Sequence, residues 1–141
     1  MLSLPKKLVV DAAILFSFFK KDATRRKVSE ELLNNECKLI SPYFALEELR
    51  NEKNRIMKFA NITAGDFEFT LSTLENEIEL VTSGEYKEFL VEAAKISPHE
   101  KDAQYFALAL SLDCPLWSDE KAFKQQTKVK IFSTEELLRE I

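Results

Sequence analysis

The chain has 141 residues with a formal net charge of −4, two glycines, one histidine and two cysteines, and 45% of its side chains are hydrophobic. That length suits one domain, spanning 1–141, with enough apolar residue to bury a core without disulfide or metal staples. Gly65 and Gly84 stand far apart, which excludes the glycine-rich turns that cradle dinucleotides and nucleoside triphosphates. A lone histidine, His99, cannot form an HExxH zinc site, and with Cys37 and Cys114 it cannot complete a four-ligand zinc cage. Catalysis, if present, must rest on carboxylates, hydroxyls or lysines. The apolar run from Ala12 to Phe19 is broken by Ser17 and falls far short of the ~20 residues of a membrane span, so a soluble protein is expected. Two cysteines in apolar, strand-like contexts fit reduced thiols in the cytoplasm.

Leu8-Val9-Val10 predicts a buried strand ending at Asp11, followed by a helix from Ala12 to Phe19. Asp22 is placed to cap a second helix from Ala23 to Asn35, with Val28, Leu32 and Leu33 at helical spacing. Cys37 to Ile40 reads as the next strand. Ser41-Pro42 then reads as an N-cap with proline at the first helical position, opening a long helix to Phe59. Thr63 to Glu77 predicts a helix with Phe67, Leu71, Leu74 and Ile78 on one face, leading to a short strand, Glu79 to Thr82. Glu85 to Ile96 reads as helical, and Ser97-Pro98-His99-Glu100 as a capping box that starts a helix to about Ser111. Leu116-Trp117 and Val129 to Phe132 complete the strands, with a short helix, Asp119 to Gln126, between them. Ser133 with Glu136 forms a capping box for a C-terminal helix. Strands separated by helices, with no hairpin signal, call for a parallel sheet covered on both faces: an α/β fold, a three-layer α/β/α sandwich.

Ligands of such sheets bind at the carboxyl ends of the strands. Four segments bring an acid there. Asp11 ends the first strand; Glu47 and Glu48 follow the second; Asp119 and Glu120 follow Leu116-Trp117. Asp102 precedes Phe106, Ala109 and Leu110 at spacings that place it on the apolar face of its helix. Asp11 and Asp119 also suit helix N-caps, but Asp102 on an apolar face needs a partner for its charge. Carboxylates that converge without a base repel one another, and a divalent cation with oxygen ligands is the usual resolution. Such a site suits Mg²⁺ or Mn²⁺ rather than zinc and acts on phosphate esters. The basic residues are bunched, notably Arg25, Arg26 and Lys27, and Arg50, Lys53, Arg55 and Lys58. They form either solvated helix faces or a rim for nucleic acid.

These residues resemble the PIN domain, the ribonuclease fold of VapC-type toxins and RNA-processing nucleases. The likeness runs through Leu8-Val9-Val10-Asp11-Ala12, Ser41 to Glu48-Leu49, Asp102 with Ala107-Leu108-Ala109, and Ser118-Asp119-Glu120 with Phe123. It implies about five parallel strands and a metal-dependent endoribonuclease in which Asp11, Glu48, Asp102 and Asp119 or Glu120 hold Mg²⁺ or Mn²⁺. It favours Glu48 over Glu47, because the family's Glu is commonly followed by Leu. Two departures stand out: Ala13 where many members have Asn, and Ser118-x-Glu120-x-x-Phe123 where the family often has Thr-x-Asp-x-x-Phe. The resemblance further implies an RNA substrate, an antitoxin partner and a homodimer. The bunched Arg25, Arg26, Lys27, Arg50 and Lys53 are the candidates to hold the RNA, and among eleven phenylalanines Phe18, Phe19, Phe67 and Phe69 are interface candidates, with a helical core the expected place for most of them.

Ala13 also argues against a haloacid-dehalogenase-like phosphatase, which needs a second Asp at that position. The non-enzymatic alternative is a PIN fold with weakened catalysis that serves as an RNA- or protein-binding module.

Overall fold

In the computed structural model, which describes residues 4–21 and 23–141, Leu8, Val9 and Val10 are all fully buried. Consecutive side chains therefore meet protein on both faces of their strand, as in a parallel sheet covered on either side. This strand, β1 (Lys7–Val10), pairs with β2 (Lys38–Pro42) from Lys7–Lys38 to Val9–Ile40. On its other side it pairs with β4 (Leu116–Trp117) through Val9–Leu116 and Val10–Trp117. With β3 (Glu79–Val81) beyond β2 and β5 (Ile131–Phe132) beyond β4, the order is β3-β2-β1-β4-β5, every pair parallel. The helices are α1 (Ala12–Ser17), α2 (Thr24–Asn34), α3 (Tyr43–Asn51), α4 (Lys53–Ala60), α5 (Ala64–Glu77), α6 (Leu90–Ile96), α7 (Ala103–Leu112) and α8 (Thr134–Glu140). They flank the sheet as the α/β/α sandwich that the alternation of elements predicts. No helix among the described residues is long and apolar enough to cross a membrane.

Helix α7 packs against β1, β2 and β4. Tyr105 to Ala109 are all buried, because a helix enclosed between a sheet and a neighbouring helix, here α6, has no solvent face over most of its length. Aromatic pairs join further elements: Phe106 on α7 meets Phe123, and Phe19 meets Phe67 on α5, each at 5.0 Å between centroids. Trp117 is fully buried, and its indole N–H donates to Thr134 Oγ1 at 3.0 Å, linking β4 to the start of α8. The Ser133–Glu136 capping box forms as expected, and a second box, Thr63 with Asp66, opens α5. Of the four phenylalanines weighed between core and interface, Phe18, Phe19 and Phe67 belong to the core, and Phe69 alone is exposed.

Several local expectations are corrected. Ser41 and Pro42 stay in the sheet, where Pro42 pairs with Val81. The Ser41 hydroxyl, fully buried, donates to the Val10 carbonyl at 2.8 Å instead of capping the next helix. The single helix expected to Phe59 breaks at Glu52 into α3 and α4. The break keeps Ile56 fully buried while Lys53, which interrupts the apolar stripe, turns out to Glu68 at 3.0 Å. Residues 83–89 form two short 3₁₀ turns ahead of α6 rather than the start of one helix. Ser97 ends α6 in an extended conformation and its hydroxyl has no partner, so the expected Ser97 capping box is absent. A 3₁₀ turn, Glu100–Asp102, leads into α7 in its place. The expected helix after β4 is a 3₁₀ turn, Lys121–Gln125. The Asp22 cap expected for the second helix lies outside the described residues.

The Ser41 hydroxyl is the side-chain tie between β2 and the end of β1. Ser41→Ala is expected to lower the unfolding free energy by about 1–2 kcal/mol, read from the midpoint of chemical denaturation.

Candidate active site

From β1 the chain proceeds outward through β2 and β3 and then returns to add β4 on the opposite side. The carboxyl ends of β1 and β4 therefore flank the topological switch point, where loops diverge and leave a crevice. Asp11 is the first residue past β1. It caps α1, with Oδ1 accepting from the Ile14 amide at 2.9 Å, and only 4% of it is exposed. Burial pushes its carboxyl up to about 6, against the lowering effect of the Ser118 hydroxyl and the Ile14 amide; Glu120 and Asp102 add repulsion.

The other acids arrive from three elements. Glu48, in the second turn of α3, accepts a hydrogen bond at Oε1 from the phenol of Tyr105 at 2.8 Å. Tyr105 is buried on α7, and burial, with Glu48 beside it, raises its pKa so that it remains a donor. Asp102 ends the 3₁₀ turn before α7, and its Oδ2 is buried with no hydrogen-bond partner. Its carboxyl is raised by burial and by Glu120, against the lowering effect of His99 and Lys101. Glu120 is exposed beyond β4, its backbone amide donating to Ser118 Oγ at 3.1 Å. Asp11, Glu48, Asp102 and Glu120 line one open cleft of about 1070 Å³, with Tyr105 in its wall.

Asp119 is not among the lining residues. Its Oδ1 accepts from the Thr134 amide at 2.6 Å and its Oδ2 from Arg25 Nε at 2.8 Å. Burial raises its carboxyl, but the bonds from Thr134 and Arg25 outweigh that and hold it below the usual range. It fastens the start of α8, not the short turn that directly follows it. Glu47 is exposed and outside the cleft lining.

None of Arg25, Arg26, Lys27, Arg50 and Lys53 lines the cleft. Arg25 is engaged by Asp119, while Arg50 and Lys53 pair with Glu68 on α5, and Arg50 also with Glu75. The basic residues on the cleft wall are Arg55, Lys101 and the single histidine, His99. Sequence reasoning did not single out Tyr105, although it lies three residues after Asp102, one turn along the same helical face.

Among the described residues no three Asp, Glu, His or Cys side chains already enclose one point as a metal cage. The donors offered to the cleft are oxygens. Such a spread of carboxylates matches a small hard cation that keeps several waters and takes only one or two direct carboxylate ligands.

The family model of the PIN domain matches residues 9–141. The chain belongs to the PIN domain family. PIN domains are generally nucleases that use divalent metals. Comparison with curated proteins finds no match. Among solved structures, the fold resembles VapBC2 from Rickettsia felis, bound to a DNA fragment from their promoter, with a TM-score of 0.67 and 13% identity over 90% of this chain and 98% of that one. It also resembles PAE2754 from Pyrobaculum aerophilum, with a TM-score of 0.68 and 18% identity over 94% of this chain and 88% of that one. At these identities the neighbours establish the PIN fold alone.

Two substitutions separate the roles of the acids in this PIN domain. The proton on Asp11 is held more tightly in the folded chain, at about 6, than at the ordinary 3.8. The resulting stability is complete below pH ~4 and is lost as pH rises through 6. Asp11→Asn keeps the cap and removes the charge. In metal-free buffer it is expected to raise stability at pH 7 by about 2–3 kcal/mol, with the gain vanishing below pH ~4, as read from thermal melts across pH. Asp119→Ala should instead cost about 2–3 kcal/mol at pH 7, because it strands the Thr134 amide and Arg25.

Proposed function

We propose that this PIN domain is a Mg²⁺- or Mn²⁺-dependent endoribonuclease, acting as one unit over 1–141, that hydrolyses RNA phosphodiester bonds in the acidic cleft. The observation that carries the reading is the meeting of Asp11 and Asp102, both desolvated and raised; the Asp102 Oδ2 has no hydrogen-bond partner, and His99 and Lys101 offset its charge only in part. Asp11, Glu48, Asp102 and Glu120 would hold the metal; Asp119 is set aside because its oxygens are committed to Thr134 and Arg25. The orphaned Asp102 Oδ2 and the all-oxygen donor set fit such an ion. When bound, the metal supplies an activated water and neutralises charge on the phosphate oxygens.

The chain's own residues do the positioning. Asp11 is fixed by its cap to Ile14 and by the end of β1, so its second oxygen is presented to the cleft without loss of side-chain freedom. Tyr105 holds Glu48 at one oxygen and leaves the other available. Ser118, a buried hydroxyl between the two strand ends, holds the Glu120 backbone through its amide and sits beside Asp11. Lys101 and Arg55 on the cleft wall offset the repulsion that an acidic pocket exerts on a polyanion.

An antitoxin partner, a homodimer and a cytoplasmic setting are part of the same reading, supported by the likeness to a VapBC structure and by two free cysteines. A rival reading, a PIN-fold binding module without catalysis, draws on Ala13, which lines the cleft with a methyl group where many PIN domains place an amide.

The test is hydrolysis of a labelled RNA pool with Mn²⁺ or Mg²⁺. Asp11→Asn and Asp102→Asn are expected to lose at least 100-fold in rate (~3 kcal/mol of barrier) and EDTA to abolish cutting. Millimolar Mn²⁺ should raise the melting temperature of the wild type but not of Asp11→Asn. RNA retained without cleavage, with no thermal shift, would establish the binding module instead.

A further inference from the structure

Beside the acids lies a feature the catalytic reading does not use. Phe16 on α1 and Phe59 on α4 meet with ring centroids 5.3 Å apart and planes inclined by 56°. Phe59 is 50% exposed, and Phe16 is half-buried on the cleft wall. A cation stands over each ring. The Arg55 guanidinium lies 5.0 Å from the Phe16 centroid, and the Lys20 ammonium 5.5 Å from that of Phe59. Arg55 also lines the cleft, and Glu52, one turn back, holds its Nε at 2.9 Å.

Core packing accounts for the inner edge of Phe16. It does not account for an aromatic ring left half in water at the lip of a charged cleft, with a lysine drawn over it. We infer that Phe16, Phe59, Lys20 and Arg55 form a docking ledge for an unpaired base of single-stranded RNA, stacked on Phe59, with the flanking phosphates on Lys20 and Arg55. This rests on the nuclease reading of the neighbouring cleft and adds to it where the strand is held and in what form.

Three arguments on charge and shape carry it. Four carboxylates repel a phosphodiester, so a strand that reaches them must be anchored on cations outside the acid cluster. Arg55 is on that wall and Lys20 is its neighbour across the two rings. An exposed aromatic next to cations is the arrangement that holds single strands, because every base has a π-face to stack and every linkage a phosphate to pair. Bases inside a duplex are already stacked, so the ledge selects unpaired segments.

The experiment measures fluorescence anisotropy of an end-labelled single-stranded RNA of about 12 nucleotides, in EDTA so that no cleavage occurs. Phe59→Ala is expected to weaken binding about tenfold and Phe59→Trp to retain it. The Lys20→Ala/Arg55→Ala double variant should weaken binding and flatten its salt dependence. A blunt duplex of the same length should bind less tightly than the single strand. Binding by Phe59→Ala within twofold of wild type, or duplex bound as tightly as single strand, would overturn the ledge and leave the patch to a protein partner. Because the readout is binding without metal, a chain that binds through Phe59 but never cuts contradicts the nuclease reading and leaves the ledge standing.

Discussion

The desolvated carboxylate of Asp11 is the constraint around which the rest of the site is arranged. Three fully buried aliphatic residues drive β1 into the centre of the sheet, and the next residue is an acid that the fold cannot release to solvent. The hydrogen bond to the Ile14 amide and the nearby Ser118 hydroxyl recover part of the desolvation cost, yet the carboxyl still sits at about 6. Asp102 and Glu120 make the problem worse rather than better. A fold gains nothing in stability from gathering acids this way; the arrangement has value only if something positive enters the cleft.

The scaffold makes this tolerable by being firm elsewhere. Helix α7 lies across three strands and carries Tyr105 to Glu48, while Trp117, Thr134 and Asp119 lock the far side of β4 to α8. Asp119 and Glu120 are adjacent in sequence and do opposite things: one fastens a helix start, the other faces the cleft.

That pair also marks how far the sequence could be read. The parallel sheet followed from apolar runs ending in acids and from helices between them, and the placement of Asp11 and Asp102 followed from strand ends and helical spacing. Helical spacing does not separate Glu47 from Glu48; the preference for Glu48 came from the resemblance to the PIN domain. Which of Asp119 and Glu120 faces the cleft depends on where α8 begins and where Arg25 lies, and Arg25 is 94 residues away in the chain. The basic cluster after Arg50 was visible as a cluster. Its division between α5 and the cleft depends on the break at Glu52, which turns Lys53 toward Glu68 and Arg55 toward Phe16. Ser41 and Ser97 mimic caps in sequence, but one is claimed by the Val10 carbonyl and the other ends the preceding helix. Tyr105 reads as a core aromatic until its hydroxyl is seen to reach Glu48.

The measurement closest to the central claim is the titration of the Asp11 side-chain carboxyl by ¹³C NMR, in metal-free buffer and again with Mg²⁺. The account predicts a midpoint near 6 without metal and a shift to well below the ordinary 3.8 when the cation enters. An Asp11 carboxyl that titrates near 4 in both conditions would contradict it.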